Sequence, residues 1–315
     1  MRIAVIGAGV AGLACASELA GAGHTVTVFE KARGPGGRTS SRRTERGAFD
    51  HGCPVLARGA WLLELAPLGL ELADFAGGEV PVPRMSALAR ALAQDLEVRA
   101  GVRVAPVTRA GDGFRLTADD GADLGTFDRV AITAPAPQAA ELLSLAAPDL
   151  ARRAEAVRYE PCWAVMAAWD APLDVTDAWT RDDDAGAPVR WAVRESAKPG
   201  RDPGERWTVQ AGPDWSAAHL EDDPADVANA VLAAFVEEQA LAPLPTPASL
   251  TAHRWRYARV TDALAEPCLV GGGIGAAGDW CAPPPQPLDP GVLQDRPGVP
   301  EALHGGRALA RALAG

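Results

Sequence analysis

Residues 2–30 read RIAVIGAGVAGLACASELAGAGHTVTVFE, and this stretch decides the fold. Arg2–Ile6 is short and β-prone at Ile3, Val5 and Ile6, which predicts a buried strand. Gly7-Ala8-Gly9-Val10-Ala11-Gly12 follows as a turn with GxGxxG spacing. Ala11–Ala22, rich in Ala and Leu, predicts a helix ending near Gly23, and Thr25–Glu30 predicts a second strand. Strand, helix and strand occupy about 30 residues, the size of a dinucleotide-binding βαβ unit. In such a turn Gly7 permits the tight reversal, Gly9 lets backbone approach a pyrophosphate, and Gly12 lets helix and strand pack closely. The helix start presents unpaired N–H groups and a positive dipole end to phosphates. Glu30 closes the second strand, where a carboxylate can accept hydrogen bonds from ribose hydroxyls.

Outward from this unit, residues 31–52 are polar and loop-like and hold an arginine cluster. Gly37 there can pass near a diphosphate, and Arg38 can pair with a phosphate; a solvated basic loop is the plainer reading of the same residues. Residues 60–74 predict one helix or two short ones, and Met85–Gln94 another helix. Strands are expected over 98–107, 113–118 and 127–133, with a turn at Gly111-Asp112-Gly113 and a breaker at Ala134-Pro135-Ala136-Pro137. From Cys162 to Trp255, strand-like pieces carry Trp163, Trp169, Trp191 and Trp207, separated by polar loops at 181–186 and 198–205. Pro224–Glu238 is a helix, so this portion reads as an antiparallel sheet with helices. Residues 268–278 return to a strand followed by glycines, 283–300 form an irregular Pro/Asp-rich loop, and 300–314 a final helix.

The 315 residues suffice for two domains sharing an interface. A net charge of −11 repels nucleic acid and anionic lipid, so neither a nucleic acid nor a membrane is expected as partner. The five cysteines are scattered and odd in number, which argues against a zinc site and a disulfide framework and suits a reducing cytoplasm. The apolar N-terminal run is broken by Gly7, Gly9 and Gly12, unlike a signal peptide.

The longer pattern, GxGxxG then Glu30 then Gly36-Gly37-Arg38, resembles the opening of flavoproteins related to amine oxidases and protoporphyrinogen oxidases. Within that superfamily the chain looks most like the renalase-like FAD-dependent oxidoreductases. Phe49-Asp50-His51-Gly52 resembles that family's FDHG segment, Met85-Ser86-Ala87-Leu88 its MSAL helix start, and Pro161-Cys162-Trp163-Ala164 its PCWA strand. Lys198-Pro199-Gly200-Arg201 resembles its SKPGR turn, and Trp215-Ser216 with Ala218-His219-Leu220 its WS-x-AHL string. His253-Arg254-Trp255-Arg256-Tyr257-Ala258 and Gly278-Asp279-Trp280-Cys281 resemble its HRWRYA and GDWC strings.

The resemblance implies an α/β fold in two domains: a Rossmann-like FAD domain from residues 1–55, 85–150 and 265–315, and a mixed or antiparallel-sheet substrate domain from 56–84 and 151–264. It implies non-covalent FAD held by Gly7, Gly9, Val10, Ala11, Gly12, Glu30, Lys31, Gly37, Arg38, Arg103, Val104, Gly278, Asp279 and Val299. It further implies oxidation of isomeric dihydronicotinamide nucleotides, with hydride passing to flavin N5 and O2 reoxidising the flavin to hydrogen peroxide. His253 and Trp255 are the candidate catalytic residues; for His253 a pocket role and a core role stand level, and Trp207, Trp255 and Trp280 either wall the flavin or fill a core. Asp279 is expected at the ribityl chain, Val102-Arg103-Val104 in a strand near adenine, and His304 on a helix face toward the cofactor. The expected partners are a small-molecule hydride donor and O2, in a monomer or homodimer.

Two departures qualify these expectations. No aromatic follows His51-Gly52, where the family carries one, and the segment to Met85 is short. Residues 283–298 intervene between Cys281 and the counterpart of the family's last helix, Val299–Leu303. An amine oxidase or desaturase-type flavoenzyme of the same superfamily is the second reading; the only lysines are Lys31 and Lys198. A flavin-binding protein with little catalysis is the third.

Overall fold

A computed structural model describes residues 1–175, 178–181, 184–241, 246–281 and 298–315. The chain opens with β1 (Arg2–Ile6), α1 (Val10–Gly21) and β2 (Thr25–Glu30), then two hairpins, β3 (Arg42–Thr44) with β4 (Gly47–Phe49) and β5 (Leu72–Phe75) with β6 (Gly78–Pro81). Next come α2 (Ser86–Leu92), β7 (Glu97–Ala100), a meander of β8 (Thr108–Ala110), β9 (Gly113–Thr117) and β10 (Asp123–Phe127), and β11 (Arg129–Ile132). Helices α3 (Ala136–Leu143) and α4 (Pro148–Glu155) lead to β12 (Arg158–Trp169), β13 (Trp179–Arg181), β14 (Trp191–Arg194) and β15 (Glu205–Gln210). The remainder is α5 (Pro213–Ala218), α6 (Pro224–Glu238), β16 (Ser249–Asp262), β17 (Leu269–Gly271), β18 (Ile274–Ala276) and α7 (Val299–Ala314).

Two sheets organise these elements. One has the order β17-β18-β11-β1-β2-β7, parallel except at β17. Its central strand β1 is buried from Ile3 to Ile6, the continuous apolar run of a parallel strand covered on both faces. Helix α1 is buried from Val10 through Ala16 because it lies between this sheet and α7. The contact is backbone-close: a Cβ on Gly12 would run into the Gly7 carbonyl, and one on Gly306 into the Ala11 carbonyl.

The second sheet is antiparallel, in the order β13-β14-β15-β12-β16. Its outer face packs on α6 around Trp163, Trp207 and Phe235, with Trp207 and Phe235 rings 5.0 Å apart. The sheet is inserted between β11 and β18, which are neighbours in the first. The chain leaves along β12 and returns along β16, with Arg158 opposite Asp262.

The mixed α/β class, both opening strands and α6 are as expected. Residues 60–74 differ: Ala60–Leu68 is a 3-10 helix, and the rest enters β5. Pro67 at its end and the left-handed Gly69 that caps it stop a longer helix. The strand expected over 98–107 ends at Ala100, so Val102-Arg103-Val104 lie outside regular strand; Val104 keeps one bridge to Ala118. The loop expected at 31–52 carries the β3–β4 hairpin. Lys198 and Glu205, assigned to a polar loop, are buried. The irregular segment expected from 283 lies outside the described residues up to 297.

Candidate cofactor and substrate cavity

The turn after β1 is built as its glycines demand. Gly7 has φ +108°, and a Cβ there would stand 2.9 Å from Thr133 Oγ1. The Thr133 hydroxyl bonds this turn, contacting the Ile6 and Gly7 carbonyls at 3.1 Å. Glu30 is buried at the end of β2, accepting hydrogen bonds from Ala8 N at 2.8 Å and Ala32 N at 2.7 Å. Both oxygens keep lone pairs for further donors. Across the turn, Arg38 makes a bidentate pair with Asp279, both bonds 2.7 Å, and also donates to the Ala258 carbonyl. Burial alone would lower the Arg38 pKa; the Asp279 charge outweighs it and holds the guanidinium firmly charged.

These groups open on one cavity of about 1700 Å3. Of the cofactor residues expected from sequence, Gly7, Gly9, Val10, Ala11, Glu30, Lys31, Gly37, Arg38, Arg103, Val104, Gly278, Asp279 and Val299 line it, as do His253 and Trp255. Gly12 does not; it lies beneath the turn. Lys31 donates to Gln138 at 2.9 Å, and Arg103 pairs with Asp119 at 3.3 Å.

The bed fits a dinucleotide on its own geometry. A Cβ on Gly9 would meet nothing within 4 Å, so the backbone is open to a ligand there. Gly9 caps α1 with no side-chain hydrogen bond and the first turn holds no acid, leaving the helix N–H groups for an anion. The volume exceeds the roughly 300–1,000 Å3 of a single small-molecule site, which leaves room for a second ligand.

The far wall joins His51, His253 and Trp255. Their rings stand 4.9 Å (His51–His253), 4.4 Å (His253–Trp255) and 5.1 Å (His51–Trp255) apart. Trp255 Nε1 donates to the His51 carbonyl at 2.8 Å, and Gln210 donates to the Gly52 carbonyl at 2.6 Å. Burial, then the neighbouring His253 and Arg42, lowers the His51 pKa to about 4. Burial and Arg42 lower His253 as well. Both rings are neutral at physiological pH.

Beside this wall lies a buried ionic cluster that the sequence did not announce. Asp50 accepts hydrogen bonds from Arg201 at 2.6 Å, Lys198 at 3.3 Å, Ser41 at 2.5 Å and Met85 N at 3.1 Å. Lys198 also donates to Glu195 at 3.0 Å, which accepts from Thr208 at 2.6 Å and Asp50 N at 3.1 Å. Burial pushes both carboxyls up; the Lys198 and Arg201 charges reverse this for Asp50, while Glu195 stays raised. The signal was present but divided: Asp50 belongs to the FDHG string and both cations to the SKPGR string, 148 residues away for Lys198.

Two alternatives are decided and one expectation changes. Trp207 takes its core reading, filling the second core without reaching the cavity. Trp280 is fully buried yet borders it, donating to the Ala134 carbonyl at 3.1 Å. His304 is exposed and pairs with Glu64 at 3.0 Å, so it does not face the cofactor bed.

A family model of NAD(P)-binding Rossmann-like domains matches residues 5–63, and the model of flavin containing amine oxidoreductases matches residues 58–293. The chain belongs to the flavin containing amine oxidoreductases. Membership makes FAD the cofactor. A 4,4'-diapophytoene desaturase (4,4'-diaponeurosporene-forming) of Staphylococcus aureus (strain Newman) is 52% identical over 56 residues, 18% of this chain. The match spans 11% of the desaturase. Among solved structures, a mutant putrescine oxidase matches with TM-score 0.73 at 14% identity, over 99% of each chain. The cyclohexylamine oxidase of Brevibacterium oxydans IH-35A matches with TM-score 0.72 at 14% identity, over 99% of this chain and 98% of that one. At these identities the likeness to this flavin containing amine oxidoreductase is one of fold.

Proposed function

We propose that this protein is a renalase-like FAD-dependent oxidase, taking a hydride from a dihydronicotinamide or a similar donor. One observation carries the reading: the wall away from the dinucleotide turn offers two neutral imidazoles and an indole, and the Asp50, Glu195 and Lys198 cluster beside it does not line the cavity. The four carboxylates lining the cavity are occupied elsewhere. Glu30 is bonded at the turn, Asp279 is paired with Arg38, Asp119 with Arg103, and Glu141 lies near Lys31.

An alkylammonium substrate must lose a proton before it yields a hydride. An imidazole of pKa about 4 is a poor base for a group whose pKa is about 10. A dihydropyridine gives up its hydride with no proton to remove, so the wall need only position the ring. Trp255, tilted at 40° to His51 and edge-to-face with His253, supplies a flat surface for that purpose. Bound FAD would supply the two-electron acceptor for the hydride, with O2 as the terminal oxidant and hydrogen peroxide as its product. The protein's share is to hold the diphosphate on α1, the ribose on Glu30 and the ribityl chain beside Asp279. The same reading divides the chain into the two domains expected from sequence.

Anaerobic stopped-flow mixing with isomeric dihydronicotinamides, ordinary NAD(P)H and a panel of amines tests this. Rapid bleaching by dihydronicotinamides and not by amines is expected. The amine oxidase or desaturase reading is favoured by the family match, and bleaching by amines alone would replace ours with it. Bleaching by none would remove this reading and leave another substrate, a desaturase's among them, or a flavin-binding protein with little catalysis.

A further inference from the structure

The cavity is cationic in a protein whose net charge is −11: ten arginines and Lys31 line it, against four carboxylates. Several of these cations are accounted for. Arg38 is taken by Asp279, Arg103 by Asp119, Arg254 and Arg256 by Glu221, and Arg259 by Glu160. Arg42 is not. It stands on β3 opposite Phe49, which just precedes Asp50-His51; it is exposed and lines the cavity, and its side chain makes no hydrogen bond or ion pair among the described residues. Its charge reaches both His51 and His253.

His51 is itself short of partners. It is 6% exposed and lines the cavity, and its ring has only a backbone contact to Phe49, with Nδ1 short of a well-formed hydrogen bond. The ring of His253, 4.9 Å away, has no hydrogen-bond partner among the described residues. A guanidinium fork beside two neutral imidazoles, with the His253 ring uncommitted, is a donor-rich corner of the cavity.

We infer that Arg42, with His51 and His253, forms a subsite for the phosphate monoester of the hydride donor, making Arg42 a specificity-determining residue. This rests on the hydride-donor reading for what the phosphate is attached to, but not for the phosphate itself. An ammonium substrate would be repelled from the same corner, and a phosphate would be drawn to it against the charge of the whole molecule.

The test separates the two claims. Oxidised nicotinamide mononucleotide and nicotinamide riboside, which differ by one phosphate, are titrated into the FAD-loaded protein and followed by the flavin difference spectrum. No hydride transfer is needed. The wild type is expected to bind the mononucleotide more tightly than the riboside. In Arg42→Ala that preference should fall by about 10–100-fold, the range for losing a charged hydrogen-bonded contact, and Arg42→Lys should restore part of it. Arg152→Ala, which removes an equal charge from the exposed surface of α4, controls for net charge. A wild type indifferent to the phosphate, or a preference equally intact in Arg42→Ala, overturns the subsite. If Arg42→Ala loses flavin, Arg42→Lys alone decides. A preference that depends on Arg42 in a protein whose flavin no reduced donor bleaches would keep the subsite and remove the hydride-donor reading.

Discussion

His51 is where a single side chain has the largest consequence. Its pKa is about 4 in the folded protein against 6.5 when free, so between those values the unfolded chain holds the extra proton. Stability contributed by the neutral ring is therefore complete above about pH 6.5 and is lost as pH falls toward 4. The amount is about 3 kcal/mol for the full shift. His253 adds in the same sense, while Glu195, whose pKa is raised, works against both in part of the window. Urea unfolding of wild type and His51→Phe at pH 7 and pH 4.5 is expected to show a shallower pH loss in the variant. The Trp255 bond survives that substitution because it goes to the His51 carbonyl. Gly7, Gly9 and Glu30 were legible in the sequence because their chemistry depends on local spacing. His51 was not, because its neighbours His253 and Trp255 arrive from a strand 200 residues on; only its place in a family string marked it.

At the scale of elements, the opening unit could be read because β1, α1 and β2 are contiguous and strongly patterned. Pairings between distant segments could not. Nothing local distinguishes Lys198 from a solvated loop lysine, yet it sits with Asp50 and Glu195 at 1% exposure or less. A buried pair broken on one side commonly costs about 3–5 kcal/mol. Lys198→Met should come nearer that at pH 8 than at pH 5, because an ionised Glu195 would be left without its cation. At pH 5 the loss should be smaller, since Glu195, whose pKa is already raised, can take a proton and become neutral. Thermal unfolding of the variant at the two pH values measures the difference, and equal losses would contradict the role given to Glu195.

At the scale of the whole molecule, net charge and cavity charge have opposite signs. The reduced mononucleotide is an anion, so the net −11 alone would make its approach faster as salt rises. If the cationic cavity governs approach, the second-order constant for flavin reduction should instead fall between about 0.01 and 0.5 M salt. Stopped-flow at graded ionic strength reads the sign directly. Composition gave the total charge correctly but could not say where it collects, because that depends on which arginines the fold turns inward.

The inserted sheet meets the rest of the protein along two lines. One is the β12–β16 stem, whose ends pair at Arg158 and Asp262. The other is the tie from Lys198 and Arg201 to Asp50, with Gln210 and Trp255 bonded to the backbone just beyond it. A plate fastened along one edge can swing; a plate fastened along two is a strut. On the proposed reading the slot between cofactor bed and histidine wall should keep a set width, and a donor would enter by diffusing in rather than by waiting for jaws to close.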